Sequence, residues 1–240
     1  MHKSAYIFGG GFFAVYCKEQ GPIRIAEIGS QNINGALRDH KPSNCIEYLG
    51  MDFEEGKGVD LVLTDPYSFP IEDNTYDVVV TSSCFEHSEM FWLTFLEGMR
   101  ILKPSGLMYC NAPSAWMPYH RFPVDCWRFY PDAAKGLQSW ARRNGMNTQV
   151  LESFIGMPDL DIGCADWSAV FIKDVDYIDR YNDRIVDYLK PKEHFVNGYR
   201  YPSNEQFPKG WEELTGFYMQ GQSPLIEVKD GKIVKIHMNG

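Results

Sequence analysis

Short apolar runs alternate along the chain with longer stretches whose apolar positions recur at helical spacing. The runs over 23–28, 45–52, 59–65, 76–83 and 107–113 predict five strands. Their interiors are apolar at successive positions, as in strands covered on both faces. Between the fourth and fifth, Trp92, Phe95, Leu96, Met99 and Leu102 fall on one face of a helix, which "KPSG" (103–106) stops. Residues 131–145 predict a second helix, with Pro131 at its start and Gly145 as C-terminal cap. The runs over 148–155 and 168–174 complete an expected seven-stranded, mostly parallel, doubly wound α/β sheet with helices on both faces. Residues 3–19 predict a leading helix weakened by Gly9, Gly10 and Gly11.

The pattern changes after residue 175. "DYIDRYNDRIVDYL" (176–189) reads as a polar helix, 190–208 as a loop, and 224–238 as a hairpin around Asp230 and Gly231. This divides the chain into a domain over 1–175 and an extension over 176–240. The extension is expected to cover the site or to make a homo-oligomer contact.

Composition narrows the class. A chain of 240 residues, 44% hydrophobic, builds a core without disulfides or a structural metal. Its six cysteines form no CxxC pair, which suits small buried side chains in a reducing compartment. A net charge of −9 with no basic run argues against nucleic acid as partner. No apolar run is long enough to span a membrane, and the glycine-broken start does not read as a signal peptide. A cytoplasmic protein is expected. Aromatics at 15% suggest a site lined with rings as well as a core.

The first strand ends in "AEIGSQNINGALRD" (26–39). A dinucleotide fingerprint needs a second glycine where Gln31 stands, because a side chain there keeps the backbone off a pyrophosphate. No Gly-Lys-Ser/Thr follows, so a P-loop fails too. Glu27 at the strand end would repel a pyrophosphate and receive an ammonium group. Gly29 lets the chain pass close under a ligand, and a helix opening near Gly35 would offer N–H groups to a carboxylate. Asp52 and Asp65 end the second and third strands, where carboxylates can accept from ribose hydroxyls and an adenine amino group. Ligands of open parallel sheets bind at these carboxyl ends. An ammonium, a carboxylate and a nucleoside together describe S-adenosylmethionine.

The order of these stretches resembles the class I S-adenosylmethionine-dependent methyltransferases, with their Rossmann-like fold, and in particular the type 11 branch. "AEIGSQNINGALRD", "YLGMDFEEGKGVDLVLTD", "IEDNTYDVVVTSSCFEH" and "LEGMRILKPSGLMYCNAPS" carry the likeness over residues 20 to 114, and "HRFPVDCWRFYPDA" extends it. The resemblance implies that Glu27 binds the methionine amino group, Gly29 lines the loop, Asp52 binds ribose and Asp65 adenine. Ser30, Gln31, Asn34, Phe53, Pro66 and Ser82 stand at the same strand ends and are expected to complete the cofactor contacts. Gln31 and Ile33 depart from the family pattern, which has glycine there in many members. "TDPY" (64–67) is similar to the Asp-Pro-Pro-Tyr motif of DNA adenine methyltransferases, but it has one proline and follows the wrong strand.

Methyl transfer from a sulfonium needs alignment and, for many acceptors, a base. After the fifth strand comes "APSAWMPYHRFPVDCWRFYPD" (112–132), too rich in rings and prolines for a regular helix. His120 is the expected general base, since imidazole titrates near neutrality, with Asp125 orienting it or the acceptor. His87, after the fourth strand, is the other catalytic candidate. Trp116, Tyr119, Arg121, Trp127 and Arg128 are expected to bind the acceptor, rings against sugar faces and charges on hydroxyls or phosphate. The insertion resembles those of methyltransferases from bacterial surface-sugar pathways, which implies O-methylation of a small or glycan-linked acceptor. Asp159, Asp161 and Asp166 match no calcium or zinc spacing, so no metal is expected. Two rivals remain at this point: a non-catalytic S-adenosylmethionine-binding regulatory protein, and a nucleotide-dependent oxidoreductase on the same layout.

Overall fold

The computed structural model describes residues 2–18, 21–114, 117–156, 165–189, 195–207, 224–229 and 232–238. Nine strands form one sheet, in the order β3-β2-β1-β4-β5-β7-β6-β8-β9. The parallel half is β1 (Ile23–Ile28), β2 (Cys45–Asp52), β3 (Leu61–Val62), β4 (Tyr76–Ser82) and β5 (Leu102–Pro113). β6 (Gln149–Gly156) and β7 (Asp166–Ile172) follow, β7 running antiparallel between β5 and β6. These seven are the expected strands. The two added strands are β8 (Phe195–Arg200) and β9 (Ser203–Phe207), which extend the sheet antiparallel beyond β6. The expected loop over 190–208 is thus largely strand. Its Pro, Asn and Tyr content read as irregular, whereas an edge position tolerates such residues.

Both faces are covered. On one lie α2 (Phe91–Ile101) and α3 (Pro131–Arg143), packed on a core that includes Phe95, Met99, Phe129, Leu137 and Trp167. On the other lies α1 (Lys3–Phe12), whose Phe8 and Phe12 pack with Ile25, Val80, Tyr109 and Phe154. α1 continues as one π-helical turn over Phe13–Cys17. Its glycines serve packing as well as weakening the helix: a Cβ on Gly9 would sit 2.2 Å from the Leu37 side chain. α2 stops at Ile101, one residue short of the expected Leu102. The chain enters β5 at once, and the ladder skips 103–106, since Tyr76 pairs with Leu102 and Val78 with Leu107.

Three expectations fail locally. No α-helix opens near Gly35; the segment makes only a four-residue 3-10 turn, Leu37–His40. Asn32 closes an Asx turn by accepting from the Gly35 N–H at 3.0 Å, and Pro42 arrives before a second helical turn could form. The third strand shrinks from the expected 59–65 to two residues at the sheet edge. The polar helix over 176–189 is a 3-10 segment, Val175–Arg180, and the one-turn α4, Ile185–Tyr188. Ile185 and Val186 are nevertheless core, and Glu152 on β6 ties them down. Its carboxylate accepts from the Ile185 N–H (2.8 Å), the Val186 N–H (3.2 Å) and the Tyr16 hydroxyl (2.7 Å). The extension therefore shares the core of the domain. Its last strands, β10 (Pro224–Lys229) and β11 (Lys232–Met238), pair antiparallel as expected, while Asp230 and Gly231 lie outside the described residues.

Among the described residues no helix is long and apolar enough to cross a membrane. Cys17, Cys45, Cys84, Cys110 and Cys126 are free; Cys164 lies outside the described residues.

Candidate active site

The carboxyl ends of β1, β2 and β4 open into a cavity of about 780 Å³. Glu27, Gly29, Ser30, Gln31, Asp52, Phe53, Pro66 and Ser82 line it, so most of the expected cofactor residues meet there. Asp65 and Asn34 are not among its lining residues. The Asp65 carboxylate instead accepts from the Tyr67 N–H at 2.8 Å and faces solvent, while Thr64 and Pro66 beside it line the wall. Leu63, Tyr67, Cys84 and His2 also line the cavity without having been singled out. His2 arrives from α1's leading residue, with its Nδ1 3.3 Å from the Asp166 carboxylate at the start of β7. A pair so far apart in sequence leaves no local signal.

Gly29 has φ +75, and a Cβ there would lie 2.6 Å from Cys84 Cβ. This is the position at which only glycine fits. The loop that follows holds itself. The N–H groups of Gly29 and Ser30 donate to the Met51 carbonyl at 2.9 and 3.0 Å, Gln31 N–H to Asp52 at 3.0 Å, and Asn32 N–H to the Lys57 carbonyl at 2.8 Å. A pyrophosphate cradle needs such N–H groups turned toward the ligand. Here all four are engaged within the protein, which removes the basis of the oxidoreductase reading.

Glu27 is buried and accepts from the Tyr48 hydroxyl at 2.7 Å. Burial pushes its carboxyl up to about 7, against the opposing pull of the Tyr48 hydrogen bond and Arg38. An ionised carboxylate costs free energy in such a place unless a cation joins it. Asp52 spends one oxygen on Gln31 N–H and the other on its neighbour Phe53 N–H (2.8 Å), so it fixes the loop, and each oxygen retains a lone pair for a ligand hydroxyl. Phe53 and Phe122 stand at the rim, ring centroids 6.4 Å apart. Burial pushes the Cys84 thiol up to about 12, so it stays protonated and is no nucleophile at neutral pH.

The other end of the cavity is built from the 3-10 turn Phe85–His87 and the loop after β5. His87, His120, Phe122, Pro123 and Val124 line it. Cys126 N–H donates to the Glu86 carbonyl at 2.7 Å, and Phe129 N–H to the Pro113 carbonyl at 3.0 Å, which pin the loop at both ends. Phe129 also stacks on Trp167, centroids 5.2 Å apart. Asp125 and Arg128 clasp the loop from within. Arg128 binds Asp125 through both terminal nitrogens and donates to the carbonyls of Met117 and Pro118, while Asp125 accepts from the His120 N–H at 2.7 Å. The Arg128 guanidinium holds the Asp125 carboxyl at about 2. Trp127 donates its indole N–H to the Ser88 carbonyl at 2.9 Å and packs against Phe91 and Trp92. Tyr119 and Arg121 are exposed, and neither is among the lining residues. Trp116, Asp159 and Asp161 lie outside the described residues.

His120 and His87 meet edge to face, centroids 5.0 Å apart. Between them lies Glu86, fully buried, with His87 Nε2 at 3.7 Å and His120 Nε2 at 3.9 Å from Oε1. The Glu86 carboxylate raises the His120 pKa above the ordinary imidazole value. The "CFEH" stretch carried the signal for this residue; its burial could not be read from one chain position.

A doubly wound sheet in the order 3-2-1-4-5-7-6, with an acid at each of the first two strand ends and a self-satisfied glycine turn, is a Rossmann-like α/β domain with its crevice at the strand ends. Residues 8–110 match the type 11 family model described as a methyltransferase domain, so the chain carries a class I methyltransferase domain whose cofactor is S-adenosylmethionine. No curated protein matches the chain. Among solved structures, the 1,6-didemethyltoxoflavin-N1-methyltransferase of Burkholderia thailandensis, with 1,6-didemethyltoxoflavin and S-adenosylhomocysteine bound, is similar at TM-score 0.56 and 11% identity over 72% of this chain and 79% of its own. The YcgJ protein of Bacillus subtilis is similar at TM-score 0.50 and 12% identity over 70% of this chain and 98% of its own. At these identities the likeness establishes the fold.

Proposed function

We propose that the protein transfers the S-adenosylmethionine methyl group to an oxygen of a small or glycan-linked acceptor, in the cytoplasm. The carrying observation is the cavity's two-ended build: Glu27, Gly29 and Asp52 at one end, His87 and His120 at the other. In this reading Glu27 takes the methionine ammonium and Asp52 the ribose, which leaves the sulfonium methyl directed toward the histidines. An alcohol is a poor nucleophile until its proton is removed, and His120 and His87 are the groups placed to relieve it. Asp125 acts on His120 through its backbone, and Arg128 holds Asp125; both position the loop. Phe122, exposed and lining the cavity, offers a ring face to an incoming sugar.

Transfer of a labelled methyl group from S-adenosylmethionine should be measured over nucleotide-sugars and glycans, and over amine and carbon acceptors. Incorporation into a hydroxyl acceptor, lost in His120→Ala while cofactor binding persists, is the expected result. Incorporation into amine or carbon acceptors with none into hydroxyls overturns the reading.

A further inference from the structure

Glu86 is the least comfortable side chain in the described structure. It is fully buried, and neither carboxylate oxygen has a hydrogen-bond partner. A bare carboxylate in such a place costs free energy, so something of opposite charge is wanted beside it. The basic side-chain nitrogens within 4.0 Å of it, among the described residues, are the two imidazole Nε2 atoms, at 3.7 and 3.9 Å, beyond hydrogen-bond distance.

The far nitrogen of each ring decides what the near one offers. His87 Nδ1 lies 2.6 Å from the Val124 carbonyl oxygen, and His120 Nδ1 lies 3.0 Å from that of Pro118. A carbonyl only accepts, so each Nδ1 carries the proton and, in the neutral ring, each Nε2 presents a lone pair. One ring nitrogen of each histidine and a carboxylate oxygen lie within 4.8 Å of one another, and both Nε2 atoms lie within 4.0 Å of Glu86 Oε1. They cannot bond to each other. They can all bond to one cation: with metal–ligand distances of ~2.1 Å, ligand atoms sit ~3.4 Å apart around a tetrahedral ion. The second shell is in place too, since Nδ1–H to a backbone carbonyl is the usual device that fixes a ligating imidazole.

We infer that Glu86, His87 and His120 hold a divalent first-row transition-metal ion at the acceptor end of the cavity. Two imidazoles and one carboxylate suit zinc, cobalt, iron or manganese rather than calcium or magnesium. His87 and His120 line the cavity, so the ion's remaining positions face it. The expectation of no metal rested on the aspartates near 159–166 and overlooked this set, whose members come from adjacent positions and from a distant loop.

The ion's part in catalysis rests on the O-methylation reading; its binding does not. An acceptor hydroxyl on the ion becomes more acidic. Its proton passes to solvent water. The oxygen lone pair forms the C–O bond, and the C–S pair returns to sulfur, leaving S-adenosylhomocysteine. With the ion bound, the histidines ligate it instead of taking the proton themselves, and the ion rather than an imidazole ionises the hydroxyl.

The test is a Co²⁺ titration of the full chain after chelator treatment, followed by the visible d–d absorption. One equivalent is expected to bind with imidazole-type bands and to be displaced by Zn²⁺. Glu86→Gln, His87→Ala and His120→Ala should each weaken binding by more than the ~10–100-fold typical of losing an outer-shell partner. S-Adenosylhomocysteine binding and circular dichroism report that each variant is folded. Absence of saturable Co²⁺ binding to the wild-type chain overturns the inference, as does binding that folded variants retain. Metal bound as expected, with methyl transfer confined to amines, would remove the oxygen-acceptor reading and leave the site standing.

Discussion

Glu27 is where residue chemistry and cofactor meet most directly. Its carboxyl sits at about 7 because burial disfavours the charge. An incoming ammonium supplies the missing partner, so binding should draw it into the ionised form. S-Adenosylmethionine affinity is therefore predicted to rise as pH goes from 6 to 8, since below about 7 the ligand must first displace a proton. Glu27→Gln should weaken binding roughly 10–100-fold, the value of a hydrogen bond to a charged group, and abolish the part of the pH dependence that belongs to this carboxyl. Calorimetry at several pH values checks both. Glu27 and Asp52 were legible in the sequence because a strand end is a position that hydrophobic runs locate to within a residue or two. Glu86 was not, because what matters is its burial and the two carbonyls behind the histidines. Arg128 is expected to bind the acceptor and Asp125 to orient His120 or the acceptor; in the structure the two bind each other, and Asp125 accepts from the His120 N–H. A single sequence does not show which charge finds which.

At the scale of elements, the glycine turn and the loop after β5 carry the site. Gly29 has φ +75 against Cys84, so Gly29→Ala is expected to cost about 1–3 kcal/mol in backbone strain and more from the clash. A lowered melting temperature together with lost cofactor binding is the predicted pair of outcomes. The loop over 117–126 depends on Arg128, which gathers Asp125 and the carbonyls of Met117 and Pro118. Arg128→Ala should raise protease sensitivity within that loop and lower turnover, with S-adenosylhomocysteine affinity little changed; limited proteolysis and calorimetry separate the two effects. Among elements, the seven core strands and helices α2 and α3 follow from apolar periodicity. The missing helix after β1 and the strands β8 and β9 do not, since they depend on an Asx turn and on pairing with a distant β6.

For the whole molecule, the extension and the domain meet at Glu152. Burial pushes this carboxyl up to about 7 even though Ile185, Val186 and Tyr16 donate to it. An acid whose folded pKa exceeds its unfolded value holds a proton in the native state that the unfolded chain has lost. Its contribution is therefore most favourable below the unfolded value and is lost as pH rises to about 7. Glu152→Gln is predicted to flatten the fall in melting temperature between pH 5 and 8 relative to wild type, read by calorimetric or fluorescence melting. An unchanged slope would mean that Glu152 does not titrate in this window. The acidic net charge of −9 is spread over a molecule whose cavity already holds Glu27, Asp52 and Glu89, a setting that favours a cationic ligand over a pyrophosphate.

The central claim is that S-adenosylmethionine sits in the crevice between Glu27 and Asp52. Isothermal titration of the wild-type chain with S-adenosylmethionine and with NAD, repeated on Glu27→Gln and Asp52→Asn, tests it most directly. One equivalent of S-adenosylmethionine bound, weakened in both variants, with no NAD binding, is the result predicted. NAD bound in its place, or S-adenosylmethionine affinity unmoved by either substitution, would contradict it.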